Sequence, residues 1–337
     1  MRIDVIIPAY KAQDTIIRTL SSIAMQTIKD DVDVTIVNDC DGVGYLDYVR
    51  MFKNHLSIRE IDLSENMGPS CRQVGIDHTS NHYITFIDAD DVYADPFSLE
   101  TLRDTMEKDK SHVMVVGSFF EENGDNLIQH SNDLVWMFGK LYKREFIKKY
   151  NIRFPEGLRA NEDMCFNKQC YFHTNEQEKI CYVKYNTYYW MFRKDSITRV
   201  NNFEYFFTKC FIGMVDAWKY AITKCKANGG DLKKIRSFAI DCLGALYAYY
   251  IQIEQKKKEV ASNAWNKCVE YYLTIIKDYR NSITLQEFQD AYFRHMASNF
   301  ANNRLYACLP DITFRQFIRD LDKELDKTYP DLGKVNK

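Results

Sequence analysis

Val5-Ile6-Ile7-Pro8 is the first apolar run of the chain, and the hydrophobic period changes straight after it. Asp14 stands where a helix N-cap belongs, and Ile16, Leu20 and Ile23 follow at four- and three-residue spacings, which predicts an amphipathic helix over residues 15–26. A second apolar run, residues 32–37, ends in the polar turn Asn38-Asp39-Cys40-Asp41-Gly42. Leu46, Val49 and Phe52 then mark another helical stripe, residues 58–63 a third strand, and Gly68-Pro69 a helix start with proline in its first turn. The fourth strand, residues 83–87, runs directly into Asp88-Ala89-Asp90-Asp91. Residues 112–119 read as a further strand, closed by the hairpin-like turn of residues 121–125.

Strands alternating with helices of ten to fifteen residues predict an α/β fold, with a mostly parallel sheet, Rossmann-like, covered by helices on both faces. Ligands of such sheets bind at the carboxyl ends of the strands, where the acidic turns fall. From residue 203 the texture becomes helix formers and aromatics, punctuated by Asn228-Gly229-Gly230 and Leu309-Pro310-Asp311, with no internal repeat. The expected organisation is an α/β domain over residues 1–200 and an all-helical region over 201–337.

Composition narrows the classes. Hydrophobic residues make up 46% and aromatics 14% of 337, enough for a sizeable core and far from the signature of disorder. A net charge of -2 gives no field that commits the chain to nucleic acid or to an anionic membrane, so a nucleic acid acceptor is not indicated. The ten cysteines form no C-x-x-C pair and have no histidine at metal-ligand spacing, which suggests reduced thiols. The first residues read as a strand rather than a signal peptide, and the apolar stretch 238–253 is interrupted by Asp241, so the expectation is a cytoplasmic protein without a membrane span.

The candidate chemistry lies in the acidic turns. In an extended tip, residues two apart point the same way, so Asp88 and Asp90 can reach one hard, oxygen-loving cation. A single acidic triplet after a strand is more often a solvated loop. Here, however, Asp39 follows the second strand and Asp90 the fourth, which places both on one rim of a parallel sheet. Between them, Glu65-Asn66-Met67-Gly68-Pro69-Ser70-Cys71-Arg72 offers a glycine for close backbone approach, a helix start with free N–H groups, and a cation.

These features in this order resemble the inverting glycosyltransferases of family 2, which have the GT-A fold. Ile7-Pro8-Ala9-Tyr10 is similar to the family's first strand and P-x-Y-like turn, and residues 22–27 to its first-helix ending. Asn38-Asp39-Cys40-Asp41 matches its D-D-G-S-like turn, Asn66-Met67-Gly68 with Arg72 its N-x-G…R segment, and Asp88-Ala89-Asp90 its D-x-D. Phe154-Pro155-Glu156-Gly157 then leads to Glu162-Asp163-Met164, which looks like its E-D motif. The resemblance covers about residues 1–200 and departs where Asn38 replaces an acid and Cys40-Asp41 replaces G-S.

The resemblance implies a UDP-sugar donor by default, with Mn2+ or Mg2+, and transfer to a glycan, polymer or other hydroxyl compound. Donor contacts would come from Pro8, Tyr10, Asp39, Asn66, Gly68, Arg72, Asp88 and Ala89, with Tyr10 packing on the nucleobase and Asp39 bonding to it. Asp90 would ligate the metal, and Asp88 the ribose or the metal. Asp163 would be the catalytic base, with Glu162 an acceptor contact or simply a carboxylate at a helix start. Residues 188–198 resemble the loop that follows, from which Arg193 and Ser196 would reach the diphosphate; an edge strand with a charged turn is the plainer alternative. Trp136, Gly139, Lys140, Leu141 and Tyr142 line either the acceptor side or a core beside a helix start.

Two other functions compete with this one. A sugar nucleotidyltransferase needs a glycine-rich loop after the first strand, and Ala9-Tyr10-Lys11-Ala12-Gln13 has no glycine. A non-catalytic binding module of the same fold would have let its acids decay, yet Asp39, Asp88, Asp90 and Asp163 stand together. The helical region suits an acceptor clamp, a docking surface or a homo-oligomer contact, and its residues do not choose between them. Its basic run, residues 256–258, and the stripe Leu246, Tyr247, Tyr249, Tyr250 read as a solvated face and as helix packing.

Overall fold

The computed structural model describes residues 1–158, 160–193, 210–256, 258–301 and 312–330. Two compact units divide the chain, Met1–Asn201 and Asn202–Lys337.

The first unit is built on one sheet. Strands β1 (Ile3–Ala9), β2 (Val32–Asn38), β3 (Ser57–Asp62) and β4 (Tyr83–Phe86) run parallel in the order β3-β2-β1-β4. The sheet continues through β8 (Lys140–Lys143), β6 (His112–Asn123), β9 (Lys179–Trp190) and β5 (Val92–Tyr93), with β7 (Asn126–His130) hairpinned onto β6. β8 is antiparallel to both β4 and β6, so the parallel half expected from the alternation passes into a mixed half.

Alternation along β1 explains the two layers. Ile3, Val5 and Ile7 enter one core with Ile16, Leu20 and Ile23 of α1 (Ile16–Ala24), Phe52 of α2 (Leu46–Phe52), and Leu99 and Leu102 of α4 (Ser98–Glu107). Ile6 enters the other with Ile76 of α3 (Cys71–Asp77), Phe146 of α5 (Arg144–Lys149) and Phe166 of α6 (Glu162–His173). Both faces of the strand are therefore buried, as a covered parallel strand requires.

Local details depart from the expected boundaries. Thr15, not Asp14, is the N-cap of α1, because the chain turns on the Ala12 carbonyl, which accepts from the Thr15 and Ile16 N–H groups. Leu46 is exposed while Tyr45 is fully buried, its hydroxyl accepting from the Ala12 N–H at 2.9 Å. The proline turn is a short 3-10 segment, Gly68–Ser70, that leads into α3.

Among its described residues the second unit is helical: α7 (Phe211–Ala227), α8 (Leu232–Lys256), α9 (Lys258–Thr274), α10 (Leu285–Ala301) and α11 (Phe314–Thr328). Leu246, Tyr247 and Tyr250 are buried, and Tyr247 packs against Tyr292, Phe314 and Phe317, so that stripe is core. Gly244 lets α8 and α10 touch: a Cβ there would lie 2.6 Å from the Tyr292 backbone nitrogen. Side chains of residues 256–258 and the turn 309–311 lie outside the described residues. No helix among the described residues is long and apolar enough to cross a membrane.

Candidate active site

Three strand ends make the rim. β1 ends at Ala9, whose carbonyl accepts from the Asp39 N–H at 2.8 Å, so the turn after β2 is sewn to the turn after β1. Lys11 and Cys40, at the two tips, take left-handed backbone with φ of 51° and 59°. Such conformations cost a non-glycine residue free energy and persist only where the surroundings fix them. Asp41 does part of that fixing. Its carboxylate accepts from Val43, Gly44 and Lys11 N–H groups and from Gln13 Nε2; burial pushes its pKa up, but those bonds hold it well below the usual carboxylate range.

The departure at Asn38 has a local cause. Its amide donates to Asp62 Oδ1 at 2.8 Å and faces Glu60 Oε1 at 3.4 Å. Burial, and then Asp62, already push Glu60 up, although it accepts from the Tyr45 N–H. A carboxylate at position 38 would add a third negative charge where a neutral donor satisfies two acceptors.

Asp39 is buried, and its two carboxylate oxygens accept the backbone N–H groups of Met67 at 2.6 Å and Gly68 at 2.8 Å. Asn66 Nδ2 donates to the Asp39 carbonyl at 3.1 Å. Asp39, Asn66 and Gly68 are thus one hydrogen-bonded unit. Pro8 is part-buried within β1, and Tyr10, just past it, is about half exposed (47%) with the Lys11 ammonium 5.2 Å from its ring centre. An open aromatic face at a strand end is a stacking surface.

Arg72 is the hub. Lying in the first turn of α3 and buried, it donates through Nη2 to Asp88 Oδ1 at 2.6 Å and through Nη1 to Glu162 Oε1 at 3.2 Å, with Asp163 Oδ1 3.7 Å away. Burial disfavours its charge, but Asp88, Asp163 and Glu162 together hold it well above the ordinary arginine range. Glu162 and Asp163 open α6 after Asn161, whose φ of 62° turns the chain so that both carboxyls start the helix beside Arg72. Asp163 Oδ2 accepts from the Met137 N–H at 3.2 Å, while Oδ1 is buried without a hydrogen-bond partner. Burial drives its carboxyl well above the aspartate range; Arg72 opposes this, and Glu162 and Asp88 add to it.

Past β4, Ala89 is buried in the core, so Asp88 and Asp90 flank it on the open side. Carboxylate oxygens of Asp88, Asp90 and Asp91 lie within 4.8 Å of one another, a donor set that suits a hard divalent cation. The cluster carries an electrostatic cost that such a cation would relieve: burial and then Asp88 raise Asp90, and burial with both neighbours raises Asp91 well above its usual range. Arg193 Nη1 bonds Asp90 Oδ2 at 3.0 Å, and Arg18 Nη2 the Asp90 carbonyl at 2.6 Å. Asp91 accepts from the Tyr188 hydroxyl at 2.7 Å and the Met191 N–H at 2.8 Å, which anchors the end of β9 to the acidic turn. Ser196 lies outside the described residues.

The structure therefore gathers Asp88, Arg72, Glu162 and Asp163 into one cluster, Asp88, Asp90 and Asp91 with Arg193 into a second that shares Asp88, and Asp39, Asn66 and Gly68 into a third. Asp91 and Tyr188 were not among the candidate residues. Asp91 stands next to the D-x-D, and Tyr188 begins the aromatic stretch before Arg193, but only the fold shows that they bond to each other.

A half-parallel sheet with this acidic rim is a GT-A fold. Residues 4–160, a little under half of the chain, match the family model described as Glycosyl transferase family 2. The chain is 25% identical over 215 residues to the poly(ribitol-phosphate) beta-N-acetylglucosaminyltransferase TarS of Staphylococcus aureus, covering 58% of this chain and 36% of TarS. It is 26% identical over 212 residues to a poly(ribitol-phosphate) beta-glucosyltransferase of Bacillus spizizenii, covering 58% and 33%. The matched stretch thus spans about a third of those relatives' length. The structure of S. aureus TarS 1–349 in complex with UDP-GlcNAc superposes with a TM-score of 0.64 at 18% identity, over 91% of this chain and 93% of that one.

Proposed function

We propose that the N-terminal unit transfers a sugar from a nucleoside diphosphate donor, a UDP-sugar by default, to an acceptor hydroxyl with inversion, and that Asp163 is the base. The observation that carries this reading is the buried Oδ1 of Asp163, which has no hydrogen-bond partner and only the charge of Arg72 3.7 Å away, while the other oxygen is held by the Met137 N–H. A base in a direct displacement needs one oxygen free for the incoming hydroxyl and a proton affinity raised toward working pH, which burial supplies here. The acceptor oxygen bonds to the anomeric carbon, its proton passes to Asp163, and the bond to the diphosphate breaks with its electron pair leaving on phosphate. No covalent enzyme intermediate is required.

Asp90 and Asp88, with Asp91 beside them, would hold Mn2+ or Mg2+, which when bound neutralises charge growing on the leaving diphosphate. Arg193 would turn from Asp90 to the diphosphate, joined by Ser196. Tyr10 would stack on the nucleobase and Pro8 pack beneath it. Asp39, with Asn66 and Gly68, would present the edge that reads the base, and Arg72 and Asp88 would frame the ribose and phosphate side, spaced by Ala89. Glu162 would meet the acceptor. The chain's similarity to two poly(ribitol-phosphate) glycosyltransferases supports a polymer of polyol phosphate, or a glycan, as that acceptor.

Calorimetry with UDP, GDP, CDP and dTDP, each with Mn2+ and with chelator, tests the donor half. Metal-dependent binding of one nucleotide is expected; no binding of any would overturn it. For the base, Asp163→Asn should lower turnover by ~100-fold or more with nucleotide affinity nearly unchanged, and normal turnover would refute the assignment.

A further inference from the structure

Lys140, the first residue of β8, has no exposed surface. Its ammonium donates to the Phe138 carbonyl at 3.1 Å and lies 3.7 Å from Asp133 Oδ1. Burial pulls its pKa below the ordinary lysine range, and the carboxylates of Asp133 and Asp163 oppose that fall. An apolar side chain of the same length would fill this space without the cost of desolvating a charge, so packing alone does not account for a lysine.

What the charge touches suggests its use. The same Asp133 oxygen accepts the N–H groups of Val135 at 2.9 Å and Trp136 at 2.8 Å. The next N–H along, that of Met137, is the one that holds Asp163 Oδ2. From the α6 side, Asn167 Nδ2 donates to the Trp136 carbonyl at 2.9 Å, and its Oδ1 accepts from the Tyr142 hydroxyl at 2.7 Å. Gly139 closes the segment with φ of 61°, in a space where a Cβ would lie 2.6 Å from Thr187 Oγ1. Residues 133–138 are thus a loop clasped at both ends by one ammonium, through Asp133 at its start and Phe138 at its end.

We propose that Lys140 is a positioning residue for the acceptor step: its buried ammonium clasps the 133–138 loop so that the Met137 N–H fixes Asp163 in one orientation, with Oδ1 left for the acceptor. This rests on reading Asp163 as the base. The loop also carries Trp136, whose ring lies 4.9 Å from that of Trp190, so the same clasp helps to hold that aromatic pair.

The test is Lys140→Met in the full chain, followed by hydrogen exchange with mass spectrometry, thermal melting, and release of UDP from UDP-GlcNAc and UDP-glucose with Mn2+. Exchange across residues 135–137 should quicken by tenfold or more while β1 and β2 stay protected and the melting midpoint holds or rises. Turnover should fall tenfold or more at a donor KM within twofold of wild type. Unchanged exchange in that loop would overturn the inference, as would faster exchange through the whole unit with a lower melting point. Lys140→Gln keeps a donor for Phe138 but no charge and should behave as Lys140→Met does; failure of both variants to fold also overturns it. A wild-type chain that releases no UDP counts against the proposed function, and is told apart by the exchange result, which needs no turnover.

Discussion

Arg72 donates to Asp88 at 2.6 Å while its other terminal nitrogen reaches Glu162, so one buried guanidinium joins the end of β4 to the start of α6. The two halves of the rim, one from the D-x-D turn and one from the E-D turn, are spaced by that side chain. Removing it strands carboxylates that are 12% exposed at Glu162 and 13% at Asp163. Arg72→Met should therefore destabilise the N-terminal unit by about 3–5 kcal/mol, the usual cost of breaking a buried pair, read by urea unfolding. A loss below about 1 kcal/mol would mean that the carboxylates are solvated once Arg72 is gone.

Asp163 gives a prediction with a fixed sign. Its folded pKa is raised above the unfolded value near 3.8, so the folded state prefers it protonated. Its favourable contribution is complete below that value and is lost as pH rises through the folded pKa. Asp163→Asn stays neutral throughout, so at pH 7 it should melt ~2–4 °C higher than wild type for each kcal/mol recovered, with the gap closing toward pH 4. On the proposed reading turnover runs the other way, because Asp163 acting as base would have to be ionised: wild-type activity should rise with pH along a limb lying above the ordinary aspartate range.

On the proposed reading Arg193 and a metal cation would compete for Asp90. The Arg193 side chain is 41% exposed, so its bond to Asp90 is worth about 0.2–1 kcal/mol. Arg193→Ala should then tighten binding of Mn2+ alone by only ~1.5–5-fold. The same variant should weaken binding of the UDP-sugar if Arg193 is, as proposed, the cation that meets the diphosphate. Asp90→Ala should weaken both. Calorimetry with Mn2+ and then with donor separates these cases, and a weaker Mn2+ affinity in Arg193→Ala would show that no competition exists.

The parallel half of the sheet was legible because β1, β2 and β4 are apolar runs buried on two faces, and β3, a polar edge strand with no buried residue, still falls between helical stripes. β8 was not, because Lys140–Lys143 is four residues with lysine at each end, and the hydrogen bonds that make it a strand come from distant β4 and β6. The two-residue β5 is likewise defined only by β9. In the site, residue type and order drew attention to Asp39, Asp88 and Asp90, and the family resemblance to Asp163, yet neither indicated their partners. That Asp39 holds the Met67 and Gly68 N–H groups, or that Tyr188 reaches back to Asp91, depends on how turns far apart in the chain are brought face to face. The choice of Asn at position 38 became intelligible only with Glu60 and Asp62 in view, on a neighbouring strand that the pattern of residues 32–42 does not contain.

Gly244 supplies the corresponding test for the helical unit. It sits mid-helix in α8, where alanine would ordinarily favour the helix by ~1 kcal/mol. The opposing α10 backbone decides otherwise: a Cβ at 244 would lie 2.6 Å from the Tyr292 nitrogen and 2.7 Å from the Ala291 carbonyl carbon. Neither is the far end of a flexible side chain, so the two helices would have to separate, disturbing Tyr247 in its contact with Tyr292. Overpacking of this kind costs about 1–3 kcal/mol, which exceeds or cancels the gain in propensity. Gly244→Ala is therefore expected to lower the urea midpoint followed by helical circular dichroism. A rise would show that α8 and α10 pack more loosely than these distances require.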